Sequence, residues 1–438
     1  MTIIPTEMWS PTPVSSGPVE VPTHWLNPIL SLPEPLPPIV DESEDQHRIQ
    51  LQRHIRLQAM LDLDANPNRF IEIPERVRKD LVAIGRPTPL TRARALEKSL
   101  GTPAEIYLKR EDTLPTGAFK LNSAIAQVRA AQEEGAEELV TETGAGQWGH
   151  AVAFACARAG IRPTIFWAAI SARQKTSRRA LLTMLGAQVE SSPSSQTALG
   201  RDMKRDGLHM DGSLGLAIGE AIEYASINPE AKYISGSNVP HVLIHQTVIG
   251  LETKAQLAAL EVEPDVLIAC VGGGSNLVGF MAPFLYEKAI RGAGLRLIAA
   301  EAATSPRLTR GRYEYDYSDL GCNTPMVKSY TLGRDYQLPP THVGGLRQHS
   351  GSPIVGVMNH AGLLDARAYE EKDIFAAGRD LLRTEQILIA PESCHALLAG
   401  IEEALEAKRA GNKKVIVICI SGSGILDLEG YIEKVIER

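Results

Sequence analysis

Hydrophobic and polar positions along the chain fall into two regimes. From about Arg86 onward, short apolar runs alternate with longer stretches in which apolar residues recur every three or four positions. The runs read as strands and the stretches as helices, and their alternation is the signature of a parallel α/β protein. Residues 139–142, 163–167, 266–271, 295–300 and 415–420 are expected strands, and 150–159 an expected helix. The last three strands are almost unbroken Val, Ile, Leu and Ala, which suits strands covered on both faces. A further helix is expected to open at Lys120, with Leu121, Ala124, Ile125 and Val128 on one face.

Two segments depart from this rhythm. The first forty residues hold 10 of the 28 prolines, ending in Leu32-Pro-Glu-Pro-Leu-Pro-Pro38. Proline fixes φ and lacks an amide donor, so this is an extended arm instead of a helix or an inner strand. It is either a loose tail or a strap laid over another lobe or subunit by Trp25, Leu26, Ile29 and Leu30. Residues 303–350 carry many turn formers and five of the eleven tyrosines, as expected of an insertion that builds or covers a site.

Composition narrows the classes. With 438 residues, 44% hydrophobic and 22% charged, the chain suits two or three globular domains. Its net charge of 45 − 52 = −7 makes it a poor partner for nucleic acid or a membrane surface. The five cysteines are scattered and never spaced C-x-x-C, so neither a disulfide framework nor a zinc ribbon is expected. No apolar run reaches the length of a membrane span. The first basic residue is Arg48, which leaves no charged start for a signal or transit peptide. The expected location is the cytoplasm.

Open α/β sheets bind ligands beyond the carboxyl ends of their strands, and three glycine-rich loops follow expected strands. Gly144-Ala-Gly-Gln-Trp-Gly149 matches a dinucleotide fingerprint in form. No acid lies between Glu142 and Glu190 to hold a ribose, although Ser171-Ala-Arg173 could take the phosphate of NADP. Glu142, a carboxylate at a strand end beside a row of backbone N–H groups, suggests instead an acid/base facing an anion site. Gly272-Gly-Gly-Ser-Asn276 is not followed by Lys-Ser/Thr and fits a single phosphate at a helix N-terminus. Ser421-Gly-Ser-Gly424 follows the last strand and by itself reads as an ordinary strand-to-helix turn, though its hydroxyl could meet a ring atom. Lys120, placed where the helix dipole disfavours a cation, is a candidate Schiff-base lysine.

At this point the motifs resemble a family. Lys109-Arg-Glu-Asp112, Thr116-Gly-Ala-Phe-Lys-Leu-Asn122, Glu142-Thr-Gly-Ala-Gly-Gln-Trp-Gly149, Gly272-Gly-Gly-Ser-Asn276, Pro391-Glu-Ser393 with His395-Ala396, and Ser421-Gly422 occur in this order. Together they resemble the tryptophan synthase beta chain, from about Pro22 to the C-terminus. The long arm, Gln-Trp-Gly and the arginine of Gly344-Gly-Leu-Arg-Gln-His349 are similar to the second, alpha-independent type. The resemblance implies a fold type II α/β enzyme with two doubly wound lobes and a pyridoxal 5'-phosphate cleft between them. Residues 1–45 would be the arm, 46–110 with 245–438 the large lobe, and 111–244 the smaller one.

The resemblance also implies roles. Lys120 would hold the cofactor as an internal aldimine and shuttle the Cα proton. Gly272, Gly273, Gly274, Ser275 and Asn276 would cradle its phosphate, Glu392 would lie near its ring, and Ser421 would meet the ring nitrogen, where a neutral hydroxyl favours β-elimination. Thr143, Gly144, Ala145 and Gln147 would bind the amino-acid carboxylate. Glu142 would help the β-substituent leave and then orient indole, giving L-tryptophan through an aminoacrylate. The commoner beta chains have aspartate where this one has Arg347, and an arginine fork suits O-phospho-L-serine in place of L-serine as donor. A homodimer with weak or no alpha-subunit binding is implied, and no metal. Phe119, where the family has histidine, Gln348 and Ser350 depart from the pattern, as does the Lys109–Asp112 motif, which is similar to the commoner type. A different nucleophile, a serine or threonine deaminase, and an NADP-dependent oxidoreductase using Gly144–Gly149 remain alternatives.

Overall fold

The computed structural model describes residues 19–291 and 294–437. Its strands run in chain order as β1 (His24–Leu26), β2 (Phe70–Glu72), β3 (Leu90–Arg92), β4 (Glu105–Arg110), β5 (Glu138–Thr143), β6 (Arg162–Ala168) and β7 (Gln188–Ser192). They continue as β8 (Ala231–Tyr233), β9 (Val266–Cys270), β10 (Arg296–Ala302), β11 (Arg312–Asp316), β12 (Val327–Thr331), β13 (Asp365–Tyr369) and β14 (Val415–Ile420). The expected strands are all present, within one or two residues at their ends. The helix expected at 150 begins three residues earlier, at Gln147, because Gly146 at φ +86° turns the chain directly into it.

Two sheets carry the molecule. One has six strands in the order β13-β10-β9-β14-β4-β3, parallel except for the β3–β4 pair. The other has four parallel strands in the order β7-β6-β5-β8. The apolar runs of β9, β10 and β14 are unbroken for a physical reason. Leu267, Ala269, Leu297 and Val417 pack into one core cluster, while Val266, Ile268, Ile298, Ile416 and Ile418 pack into another on the opposite face. Helices cover both sides, and neither face meets water.

Strand order reverses between β9 and β14 in the first sheet and between β5 and β8 in the second. Such switch points open a crevice at the strands' carboxyl ends. The loops after these four strands converge there.

The described part of the arm is a strap on its own chain. Trp25 and Leu26 are buried, β1 pairs antiparallel with β2, and the Leu26 amide donates to Thr247 Oγ1 at 3.0 Å. Trp25 packs 4.8 Å from the His245 ring, whereas Leu30 stays exposed. Residues 1–18 lie outside the described residues. The 303–350 insertion forms the β11–β12 hairpin and then returns to the crevice, where Gly344 lies against Ala145 and Gly345 against Glu392.

Candidate active site

The Lys120 amine lies at the mouth of helix Leu121–Glu133 and donates to the Gly236 carbonyl at 3.0 Å. Burial lowers its pKa to about 8, with Glu142 and Glu392 pulling it back upward. Glu142, next to last in β5, is 1% exposed, and Tyr233 Oη donates to its Oε2 at 2.9 Å. Burial raises this carboxyl to about 7, against the hydrogen bonds from Tyr233 and the Gly236 amide and the charge of Lys120. Both groups line one cavity, together with Thr143, Gly144, Ala145 and Gln147 from the loop after β5. A base that is partly neutral and an acid that is partly protonated therefore share a site near neutral pH.

The β5 loop is built for close approach. A side chain on Gly144 would come within 2.8 Å of the Gly344 carbonyl, and one on Gly146 within 2.3 Å of the Trp167 ring. Thr143 Oγ1 accepts from the Gly149 amide at 3.2 Å, and Trp167 Nε1 donates to the Gly144 carbonyl at 3.0 Å. The loop runs directly into the N-terminus of helix Gln147–Ala159, and a helix N-terminus favours an anion.

Behind Lys120 the loops after β9 and β14 lie side by side. Gly272, Gly273 and Gly274 lead into Ser275 and Asn276, which open helix Ser275–Arg291. A Cβ on Gly273 would fall 2.0 Å from Ser237 Oγ, and one on Gly272 would fall 2.3 Å from the Gly345 carbonyl. Gln348 Nε2 donates to Ser237 Oγ at 3.1 Å, so this pair stands between the cavity and the glycine cradle. Ser421 Oγ is 2.7 Å from Ser393 Oγ and 3.4 Å from Cys270 Sγ, and the Ser421 carbonyl accepts from the Phe119 amide at 3.1 Å. Glu392 Oε1 accepts from the Gly345 amide at 2.9 Å, while its buried Oε2 has no partner.

Arg347 stands apart from this group. Its neighbours Gly345 and Gln348 line the cavity, but its own guanidinium is turned to donate to the Leu338 carbonyl at 2.9 Å. It is 3% exposed, its Nε has no partner, and among the described residues no carboxylate lies within ion-pair distance. Burial lowers its pKa, and Asp211 opposes that from further off.

Residues 82–422 match the model of a family described as "Pyridoxal-phosphate dependent enzyme". The chain is 44% identical over 414 residues to a tryptophan synthase beta chain of Thermococcus gammatolerans, covering 94% of each. It is 43% identical over 420 residues to a tryptophan synthase beta chain 2 of Thermotoga maritima, covering 96% of this chain and 99% of that one. The chain belongs to the tryptophan synthase beta family of pyridoxal-phosphate-dependent enzymes. Its fold is also that of a solved threonine deaminase from Solanum lycopersicum, with a TM-score of 0.60 at 18% identity over 99% of this chain and 98% of that one.

A pyridoxal-phosphate family needs an amine, an anion cradle and a ring partner, and the residues present fit those needs. Lys120 offers an amine whose pKa burial lowers to about 8. The loop 272–276 has glycines where any side chain would collide with Ser237 or Gly345, and it opens a 17-residue helix. The buried, unpartnered Oε2 of Glu392 and the Ser421 hydroxyl lie on the same side as the cradle.

Sequence reasoning missed part of the wall. Trp148, Leu214, Gly236 and Ser237 line the cavity, and Tyr233 holds Glu142. Ser235-Gly-Ser-Asn238 is a fourth strand-end loop of glycine and polar residues. It went unread because β8 is only three residues long and carries no apolar run.

Proposed function

We propose that this chain joins indole to L-serine or O-phospho-L-serine to make L-tryptophan. The observation that carries this reading is the pairing, in one buried cavity, of a lysine amine near pKa 8 with a carboxyl near 7. When bound, pyridoxal phosphate supplies the electron sink that acidifies an amino acid's Cα–H and loosens its β-substituent. The chain's own residues supply the remaining steps. Gly272–Asn276 would hold the cofactor's phosphate, and Glu392 and the neutral hydroxyl of Ser421 would be the partners of its ring. The amides of Gly144, Ala145 and Gln147, with the Thr143 loop end, receive the substrate carboxylate. Lys120 carries the Cα proton away and back.

Glu142 hands a proton to the departing oxygen and then accepts the indole N–H, both of which a carboxyl near pKa 7 can do. Trp148 and Leu214 give an aromatic ring an apolar seat and keep water out. Arg347 has no carboxylate partner among the described residues, and on turning from the Leu338 carbonyl toward the cavity its guanidinium would favour the phosphorylated donor. The two sheets carry the two lobes, and the working form is a cytoplasmic homodimer with weak or no alpha-subunit binding.

The test is direct. Protein loaded with the cofactor should turn yellow, and borohydride should fix the label on Lys120 by peptide mapping. Lys120→Ala should show neither. Indole with each donor should give tryptophan, with the higher kcat/KM for O-phosphoserine, and Arg347→Gln should remove that preference. A wild-type preference for serine would refute the role of Arg347, and absence of tryptophan with both donors would refute the function.

A further inference from the structure

We infer that Tyr233 is the positioning residue of Glu142, holding its carboxylate in the cavity and stabilising the ionised form. The inference rests on the reading of Glu142 as the acid/base of the proposed reaction.

The geometry is specific. Tyr233 ends β8 and pairs in parallel register with Val140, two residues before Glu142 on β5. This register brings the phenol across to the carboxylate, with Oη 2.9 Å from Oε2. A carboxylate only accepts, so the phenol donates. Burial first, and then the charge of Glu142, raise the phenol well above its usual pKa, so it stays a donor throughout the pH range of Glu142. Tyr233 is 6% exposed and belongs to the buried cluster that includes Ile55, Phe166, Ala217 and Ile218.

The brace behind it comes from the N-terminal segment. Arg56 forms an isolated parallel bridge with Tyr233 on the open side of β8, and Lys232 Nζ donates to the His54 carbonyl at 2.9 Å. Arg56 in turn reaches Asp64 Oδ2 at 2.6 Å and His241 Nδ1 at 3.0 Å. A chain segment before the first strand of either main sheet thus anchors the tyrosine that holds the acid.

The charged and titratable groups facing the pair come from three directions. Lys120 faces Glu142 from the opening of its helix, Arg56 faces Tyr233 from the N-terminal segment, and His241 with Asp64 lies behind Arg56. The Gly236 amide and Thr141 Oγ1, the latter 3.5 Å from Oε2, complete the surroundings of the carboxylate. Among these side chains Tyr233 is the neutral donor within normal hydrogen-bond distance of it.

The test is the pH profile of the Tyr233→Phe holoenzyme, which keeps the ring and removes one oxygen. Loss of a hydrogen bond to a charged group should move the Glu142 midpoint up by about one to two pH units. The acid limb of kcat/KM for indole, whose N–H the ionised carboxylate accepts, should shift up by that amount, with kcat falling and KM for indole little changed. Placing 3-fluorotyrosine at 233, a stronger donor of almost the same shape, should move the midpoint down. It also keeps the test open if Tyr233→Phe fails to fold.

A midpoint unmoved in the folded variants, whatever their rate, would overturn the inference and leave Tyr233 a packing residue. The function itself is checked separately. If the wild-type enzyme makes no tryptophan, the Glu142 midpoint is read from the 13C carboxyl signal that disappears in Glu142→Gln. The same shifts support the pair, and their absence refutes it.

Discussion

At the scale of single residues, the site depends on moving two pKa values toward each other. Lys120 falls to about 8 and Glu142 rises to about 7, both because water is withdrawn. This has a consequence for stability. A carboxyl whose folded pKa is raised from about 4.5 to about 7 holds a proton that the unfolded chain has already released. Its contribution is full below about pH 4.5 and is lost as pH rises through about 7, a span worth on the order of 3 kcal/mol. Urea unfolding of cofactor-free protein should show that loss between pH 4.5 and 7.5. Glu142→Gln should lack it, and equal slopes in the two proteins would contradict a raised carboxyl. Both residues were legible in the sequence as an acid at a strand end and a lysine at a helix start. Tyr233, the partner of Glu142, was not, because a hydrogen bond across two strands depends on register, and register has no local sequence signature.

At the scale of elements, helix Gln147–Ala159 is bounded by two glycines with positive φ. Gly146 at its start has φ +86°, and a methyl group there would press 2.3 Å from the Trp167 ring and 2.8 Å from Arg178 Cδ. Gly160 at its end has φ +73° and nothing within 4 Å. Gly160→Ala should therefore cost about 1 kcal/mol of backbone strain alone. Gly146→Ala adds a clash and should cost roughly 2 to 4 kcal/mol in denaturant unfolding. Similar losses for the two would show that the loop yields without resistance. The glycine motif announced a loop, but only the packing of Trp167 shows which of its glycines is sterically obligatory. The cradle behaves in the same way. Gly273→Ala should push Ser237 aside and weaken pyridoxal phosphate binding at least tenfold in an absorbance titration, with a smaller effect on the thermal midpoint of the cofactor-free protein.

At the scale of the molecule, the units built on the two sheets are tied together by buried ions. Asp427, just after β14, meets Lys175 and, at 3.1 Å, Arg178 Nη2, all three nearly inaccessible to water. Arg178 also donates to the Ala145 carbonyl at 2.7 Å, so this tie reaches the proposed carboxylate loop. Asp427→Asn would leave two buried cations facing a neutral amide. It should cost roughly 3 to 5 kcal/mol and raise KM for the amino-acid donor more than it lowers kcat. A neutral effect on both unfolding and KM would show that the tie does not carry the loop. None of these three residues drew notice in the sequence, since 252 positions separate Lys175 from Asp427.

The sequence alone determined the α/β class, the five strands with apolar runs and three of the glycine loops, because each depends on local periodicity and on chain conformations that few residues adopt. It also determined the family, through motifs whose order along the chain is itself information. Tertiary structure decided which loops share one crevice, because strand order, not sequence distance, brings the ends of β5, β8, β9 and β14 together. It decided that the described part of the arm packs on its own chain and that Arg347 turns toward Leu338. It also decided the proton affinities of Lys120 and Glu142, which follow from the removal of water by residues far away in the chain.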